Sequence, residues 1–176
     1  MAAATDFNVS AGQKVERKLL VTAVNVGTST QPEWQIVGTG IEDSSIELNP
    51  DVQTVTDITG VTETTVNKLE PKQGFDPFTV RGGSKLAFKL WDIWKRKAVS
   101  EFSQFEVLIA YGFVDGATTG TFEAEKHTGC TISVTSIGGS AFVDMPIEIS
   151  YSNDVTLGSV DKLRGSDIAF TATVSA

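Results

Sequence analysis

Residues Phe105–Val114 read FEVLIAYGFV and place an apolar side chain at every odd position. Successive side chains of a β-strand point to opposite faces, so this period of two predicts a strand with one apolar face. The same alternation returns at residues 130–136, 141–151 and 168–174. Together these stretches predict a β-sandwich or barrel in which each strand buries one face and leaves the other free for water or a partner.

The composition agrees with a β-rich chain. Its 176 residues include 19 Val and 21 Thr, and β-branched side chains suit half-buried strands. A chain of this length is sufficient for one domain that buries roughly two thirds of the surface of its unfolded form. Because no internal repeat or linker divides the sequence, residues 1–176 are expected to form a single domain.

Turn residues separate ten predicted strands. Asp115-Gly116, between two alternating stretches, is the clearest hairpin signal. Gly and Asn-Pro-Asp clusters supply the backbone freedom needed at the other turns. The strands are predicted near residues 18–26, 33–39, 46–48, 52–56, 61–69, 104–114, 119–125, 129–137, 141–151 and 168–174.

One amphipathic helix is predicted from about Lys85 to Val99, with Ser84 as its N-cap. Phe88 falls on the polar side of this helix, where a partner or a neighbouring loop would cover it. The apolar residues gather on the other side at helical spacing, as is typical of a helix packed on a core. The residues expected to pack there include Leu86, Leu90, Trp91, Ile93 and Trp94.

Charge is distributed unevenly along the chain. Residues 81–97 contain six cations and one acid, a sum of +5, whereas residues 98–161 contain nine acids and one cation, a sum of −8. The predicted helix is therefore the basic part of the molecule. Solubility alone would account for acids on polar strand faces, and a binding or lining role is the alternative. The acids that alternate with apolar residues are Glu106, Glu123, Glu125, Asp144 and Glu148.

The sequence contains no recognisable reaction centre. His127 is the only histidine, so a metal site with several histidines is excluded. No serine lies in a G-x-S-x-G motif, and the segment Gly82–Lys85 does not have the spacing of a phosphate-binding loop. Cys130 alternates with apolar residues and is expected to be a buried hydrophobe. We therefore expect neither an enzyme nor a cofactor nor a metal ion.

Residues 1–14 lack a basic segment followed by an apolar one, so no secretory signal is expected. The longest apolar stretch, near residues 108–114, is too short to span a bilayer. These features predict synthesis in a reducing cytoplasm, with retention there or release without a secretory signal, and no membrane partner.

The segment ELNPDVQ (residues 47–53) is followed by DITG (57–60), then by Thr62-Glu63-Thr64, a single flanking helix and a series of alternating strands. This order of features resembles the tail tube proteins of long-tailed bacteriophages and of phage-tail-like particles. The resemblance covers most of residues 18–160. This family has no catalytic signature.

The resemblance implies a β-sandwich or barrel flanked by one helix, six subunits closed into a ring, and rings stacked into a hollow tube that conducts viral DNA. It implies terminal arms at residues 1–14 and 161–176, mobile in a free subunit and ordered in the assembly. A long loop or hairpin at residues 41–60 would contact the adjacent ring. Its candidate contact residues are Asn49, Pro50, Asp51, Asp57 and Gly60.

The same resemblance implies the partners and the location of the protein. The partners would be further copies of the chain together with tape-measure, tail terminator and baseplate or tip proteins. The chain would be assembled in the cytoplasm of a bacterial host and would then belong to the virion tail. DNA would pass through the tube without specific binding.

The charge pattern agrees with a conduit. Cations on the wall of a bore would bind DNA phosphates and release their counterions, whereas carboxylates repel the duplex. Some of the five candidate acids named above are therefore expected to face the lumen, with the basic helix away from it.

Two other functions fit parts of the sequence. A carbohydrate-binding or adhesin-like β-sandwich would use Trp34, Trp91 and Trp94 as stacking platforms. A nucleic-acid-binding module would use the basic helix, although the net charge of −8 opposes this function.

Overall fold

The computed structural model describes residues 6–173, which are mainly β with one α-helix, as predicted. The helix is α1 (Lys85–Arg96), and short 3₁₀ segments lie at Arg17–Leu19 and Val99–Ser103. The strands are β1 (Leu20–Asn25), β2 (Trp34–Val37), β3 (Ile46–Glu47), β4 (Pro50–Thr56), β5 (Thr62–Leu69), β6 (Lys72–Phe75), β7 (Phe105–Asp115), β8 (Phe122–Val134), β9 (Ile147–Ser150), β10 (Val155–Val160) and β11 (Phe170–Ala172).

One large sheet curls into a half-barrel. Its strand order is β2, β1, β7, β8, β9, β6, β3, and β10 pairs with both β8 and β11. The long strand β8 organises the curl, because it pairs with β7 along one edge and with β10 and then β9 along the other. Strands β4 and β5 form a separate two-stranded sheet.

Two hydrophobic cores lie on opposite faces of β1 and β7. The main core contains the odd-numbered residues of β7, such as Val107 and Ile109, together with the buried side of α1. The second core contains Leu108 and Ala110, the even-numbered residues between them. The expectation of one free face is therefore wrong for the centre of β7, because a second layer of chain covers that face.

The covering layer of the second core comes from the last part of the described chain. Ile168 is buried in this core, and Leu163 and Phe170 pack against it. Trp34 of β2 also lies there with 2% of its surface exposed. Residues 160–170 therefore complete the fold by covering apolar residues that would otherwise face water.

Helix α1 begins where the sequence predicts and ends three residues earlier than expected. The Ser84 hydroxyl accepts a hydrogen bond from the Ala87 N–H at 3.3 Å, which confirms the N-cap. At the other end Lys97 adopts a left-handed conformation, with φ +56°, and its N–H bonds to the Trp94 carbonyl. This geometry closes the last turn, so the helix cannot continue to Val99.

The predicted burial of the helix is correct for its aliphatic residues and wrong for its tryptophans. Leu86, Leu90 and Ile93 are almost fully buried in the main core. Trp91 and Trp94 remain 38% and 49% exposed. The two indole rings instead line open grooves beside the helix.

Several strand boundaries differ from the prediction. Residues 119–125 and 129–137 were expected as two strands, but β8 continues through Gly129, whose φ of +76° accommodates an irregularity in the pairing with β7. Of residues 141–151 only β9 is a strand. Strands β6 and β10 were not predicted, because each is short and a glycine interrupts its pattern.

A buried polar network joins β1 to β6. The Gln73 side-chain oxygen accepts hydrogen bonds from the Thr22 hydroxyl at 2.9 Å and from the Tyr151 hydroxyl at 2.6 Å. The Gln73 amide donates to the Ser44 hydroxyl at 3.1 Å. Gln73 is 1% exposed, so the network replaces the hydrogen bonds that these groups would make with water.

The variant Gln73→Leu keeps the size of the side chain and removes its acceptor. It is expected to lower the free energy of unfolding by about 1–3 kcal/mol, because two buried hydroxyls lose their partner. Thr22→Val is the matched control, with an expected cost of about 0.5–1.5 kcal/mol, since Gln73 then keeps its bond from Tyr151. Denaturant unfolding measures both, and equal stability of Gln73→Leu and the natural chain would contradict the role of the network.

Candidate assembly surfaces

The β4–β5 hairpin projects from the fold without packing on it. Every residue from 47 to 70 is exposed. Val52 pairs with Val66 and Val55 pairs with Glu63, which places the two valines of β4 on opposite faces of the hairpin. An isolated two-stranded sheet is marginally stable in water, so this element is a candidate surface for contact with another molecule.

Side-chain hydrogen bonds nevertheless hold both ends of the hairpin, its tip and its base. At the tip, the Asp57 carboxylate accepts hydrogen bonds from the Thr59 N–H and hydroxyl and from the Val61 N–H. The Thr59 hydroxyl is the main cause of a lowered pKa of Asp57. Gly60 follows with φ +84°, a conformation that suits glycine.

At the base of the hairpin, Asn49 has φ +42° and donates from its side chain to the Glu70 carbonyl at 3.2 Å. Pro50 and Asp51 then begin β4 opposite Leu69 and Lys68. The five candidate contact residues from the sequence thus lie in one element. The predicted loop of residues 41–60 ends before β5, which the sequence predicts as a separate strand near residues 61–69.

The structure does not bring the five candidate acids to one surface. Glu123 and Glu125 pair with Tyr111 and Ile109, so they lie on the main-core face of the sheet. Glu106 alternates with Phe105 and Val107 and lies on the opposite face. Glu148 alternates with two main-core isoleucines, Ile147 and Ile149, and likewise faces away from that core.

Asp144 lies before β9 rather than on a strand, and its carboxylate accepts a hydrogen bond from the Thr79 hydroxyl at 2.6 Å. Glu106 accepts from the Asn25 side-chain amide at 2.7 Å. Glu148 lies 3.5 Å from the Lys72 ammonium, and both side chains are close to half exposed. Glu106 and Glu148 are thus partly exposed carboxylates on the face away from the main core.

Glu125 belongs to a half-buried polar cluster. Its carboxylate accepts a hydrogen bond from the Tyr111 hydroxyl at 2.6 Å and lies 3.4 Å from the His127 ring nitrogen Nε2. The other ring nitrogen, Nδ1, lies 2.9 Å from the Ser152 carbonyl, and the ring packs 5.0 Å from that of Tyr151. Burial alone would lower the pKa of His127, but the Glu125 carboxylate and the Ser152 carbonyl outweigh it and raise this pKa.

The same contact makes part of the stability depend on pH. His127 lowers the pKa of Glu125 below its usual 4.5, and the pKa of His127 lies above its usual 6.5. The histidine contribution is present below pH 6.5 and is lost as pH rises through its folded pKa. The glutamate contribution is present above pH 4.5 and is lost as pH falls through its folded pKa.

We therefore expect the pair to contribute most between pH 4.5 and 6.5. The variant His127→Asn keeps a donor near the Ser152 carbonyl and removes the titrating ring. Its loss of unfolding free energy, relative to the natural chain, should be larger at pH 6 than at pH 9. Denaturant unfolding at the two pH values measures this difference, and a loss independent of pH would contradict the assignment.

The predicted terminal arms are partly described. Phe7 packs on the ring of Phe113, and Asn8 donates to Asp115 at 2.9 Å. Residues 161–173 include β11, which pairs with β10. Residues 1–5 and 174–176 of the predicted arms lie outside the described residues.

Three further features are relevant in residues 6–173: the thiol of Cys130, clusters of possible metal ligands, and helices that could cross a membrane. Cys130 is fully buried, as predicted, and burial raises its pKa. In this part of the chain no cluster of three or more His, Cys, Asp or Glu side chains could hold a metal ion. Nor does any helix within it have the length and apolar character needed to cross a membrane.

Similar folds occur in contractile injection systems. A chain of the PVC sheath-tube complex in its extended state superposes with a TM-score of 0.52 at 12% identity, covering 85% of this chain and 95% of that one. A chain of the PVC sheath/tube terminator gives a TM-score of 0.53 at 11% identity, covering 84% and 99%.

A chain of the anti-feeding prophage cap, which terminates the tube of that particle, gives a TM-score of 0.52 at 13% identity, covering 85% and 94%. The fold is of the phage-tail-like tube type. No protein-family model matches the chain. No curated protein matches it either. At these identities the likeness is one of fold, and the resemblance inferred from the sequence agrees with it.

Proposed function

We propose that this protein is a structural subunit of a tail tube, in which copies close into rings and the rings stack into a hollow tube. The observation on which this proposal rests most is the β4–β5 hairpin, an ordered element that is exposed on every residue of both strands. The tube-type fold supports the same function. By analogy with the family that the sequence resembles, each ring contains six subunits.

The hairpin is the proposed contact between rings. It presents Val52, Val55, Ile58 and Val66 to solvent, and the burial of such side chains favours association. The contact includes the five candidate residues named above. It extends along β5 to Leu69, beyond the segment expected from the sequence.

The proposed lumen wall includes Glu106 and Glu148. Both lie on the sheet face away from the main core and remain partly exposed. Their carboxylates would repel the phosphates of DNA and keep the duplex from binding as it passes. Within this proposal the tube conducts viral DNA and meets tape-measure, terminator and baseplate proteins in a virion tail assembled in the bacterial cytoplasm.

The carbohydrate-binding alternative is less well supported. Trp34, one of its three proposed platforms, is buried in the second core. Trp91 and Trp94 are accessible, but the ammonium groups of Lys95 and Lys97 lie 4.9 and 4.0 Å from their ring centroids. A sugar ring would have to displace these lysines before it could stack.

Replacing residues 50–69 with a short Gly-Ser linker tests the stacking role. Negative-stain electron microscopy of the natural chain is expected to show tubes or stacked rings. The shortened chain should form rings that do not stack, because the hairpin does not pack on the rest of the fold. Circular dichroism checks that the shortened chain is folded.

Two outcomes would contradict the proposal. Natural chains that remain single particles at high concentration would exclude the tube function. Tubes of unchanged length from the shortened chain would exclude stacking through the hairpin.

The charge of the lumen wall is testable with Glu148→Lys. Tubes of this variant should retain duplex DNA at low salt and release it as salt rises, because rings of added cations bind phosphates. Glu123→Lys makes the same charge change on the opposite face of the sheet and serves as the control. Co-sedimentation of DNA with the tubes measures retention, and equal retention by the two variants would contradict the proposed wall.

A further inference from the structure

An aromatic surface lies along the outer side of helix α1. Phe88 is 66% exposed and contacts the Trp91 ring, with 5.6 Å between centroids. A groove of about 320 Å³ joins Phe88 and Trp91 to Ile137 and Val143 in the loop between β8 and β9. A second groove, of about 610 Å³, joins Ile137 to Trp94. We call Phe88, Trp91, Trp94, Ile137 and Val143 the α1 aromatic surface.

Lysines without an acidic partner surround this surface. Lys95 and Lys97 lie over the two tryptophan rings, and Lys89 lies 5.1 Å from the ring centroid of Phe105. None of these three forms an ion pair within residues 6–173, whereas Lys85 and Arg96 pair with Glu33 and Glu101. The surface therefore combines exposed aromatic rings with uncompensated positive charge, and the cations of residues 85–97 exceed the acids by five to one.

The hairpin and its flanks have the complementary character. Residues 41–70 contain seven acids and one lysine, a sum of −6. The acids are Glu42, Asp43, Glu47, Asp51, Asp57, Glu63 and Glu70, and the lysine is Lys68. Among these charges lie the exposed valines of β4 and β5 described above.

One face of the hairpin combines both properties. Val55 lies directly opposite Glu63, so these two side chains share a face. Asp51 lies on the same side, since the Asn67 amide contacts both Asp51 and Gln53. The other face contains Val52 and Val66 with a ladder of paired threonines and no acid from β4 or β5. We call the first the acidic face and the second the threonine face.

We propose that the acidic face of the β4–β5 hairpin of one copy docks on the α1 aromatic surface of a second copy. This inference rests on the proposed function and identifies the surface that receives the hairpin. Val55 would cover Phe88 and Trp91, while Asp51 and Glu63 would reach the lysines around them. Eight residues of strand span about 27 Å, and the twelve-residue helix about 18 Å, so the hairpin can follow the whole helix.

A second copy of the chain explains both surfaces at once. A polynucleotide would neutralise the lysines but would leave Phe88 and Val143 in water and the hairpin without a partner. Burial of the lysines beside apolar groups requires acids within reach, and the hairpin supplies acids and apolar side chains together. The contact should therefore weaken with salt without disappearing, because only its electrostatic part is screened.

Cysteine cross-linking provides the sharpest test. Phe88→Cys and Val55→Cys chains are mixed under assembly conditions and oxidised, and disulfide-linked dimers are counted on a non-reducing gel. Val52→Cys is the matched control, because Val52 and Val55 are 54% and 55% exposed on opposite faces of the same strand. The natural thiol, Cys130, is buried and contributes no background.

Disulfide-linked dimers are expected when Phe88→Cys chains are mixed with Val55→Cys chains. Most of this product should be absent when Val52→Cys chains replace the Val55→Cys chains. Absence of dimers from both mixtures, or equal amounts from both, would overturn the docking. Binding of a DNA oligonucleotide to the α1 aromatic surface, together with no dimer when DNA is absent, would also overturn it in favour of a nucleic-acid ligand.

A charge exchange separates docking from a purely structural role of the same residues. Chains with Lys89→Glu, Lys95→Glu and Lys97→Glu are expected to lose stacking, and so are chains with Asp51→Lys and Glu63→Lys. Combining all five substitutions in one chain should restore it. Electron microscopy measures stacking, and circular dichroism verifies that each variant is folded.

The experiments distinguish failure of the docking proposal from failure of the tube function. If natural chains form tubes and the shortened chain does not stack, but cross-linking and charge exchange show no effect, the hairpin docks elsewhere and the tube function stands. If natural chains never associate and yield no cross-linked dimer, both are wrong.

Discussion

The pairing of β7 with β8 is the interaction on which the rest of the structure depends. It places the odd residues of β7 on the main core and the even residues on the second core, so each face of one strand anchors a separate layer. Helix α1 packs on the first face, and residues 160–170 cover the second. Beyond Cys130 the strand β8 continues past β7 and pairs with β9, which curls the sheet into a half-barrel. The hairpin and the aromatic face of α1 project from this framework without contributing to its cores.

The sequence predicted the elements whose side chains alternate strictly, because burial selects that pattern. Phe105–Val114 became β7, and Ser84 capped the helix as expected. Strands β6 and β10 were missed because each buries a residue that is not apolar. Gln73 is buried with its side-chain hydrogen bonds, and Gly158 approaches β11 closely. Apolar periodicity cannot indicate such positions.

The candidate surfaces were predictable only in part. The five contact residues of the hairpin came from a resemblance, and the structure showed that β5 belongs to the same exposed element. The five acids followed from alternation along each strand, which does not reveal how different strands combine; Glu106 and Glu123 lie on opposite faces for this reason. Trp91 and Trp94 were assigned to the core by helical spacing, but both rings line open grooves whose other walls come from distant segments, and spacing along the helix does not contain that information.

If the hairpin docks on another copy as proposed, folding of the chain is coupled to its assembly. An element that finds its packing on another copy makes subunit concentration a variable in its own folding equilibrium, by mass action. Dilution would favour a chain whose framework is folded and whose hairpin is only marginally stable. At the growing end of a tube, neighbouring subunits would supply the packing contacts that the hairpin lacks in the free chain. Polymer growth would then be coupled to the final step of folding.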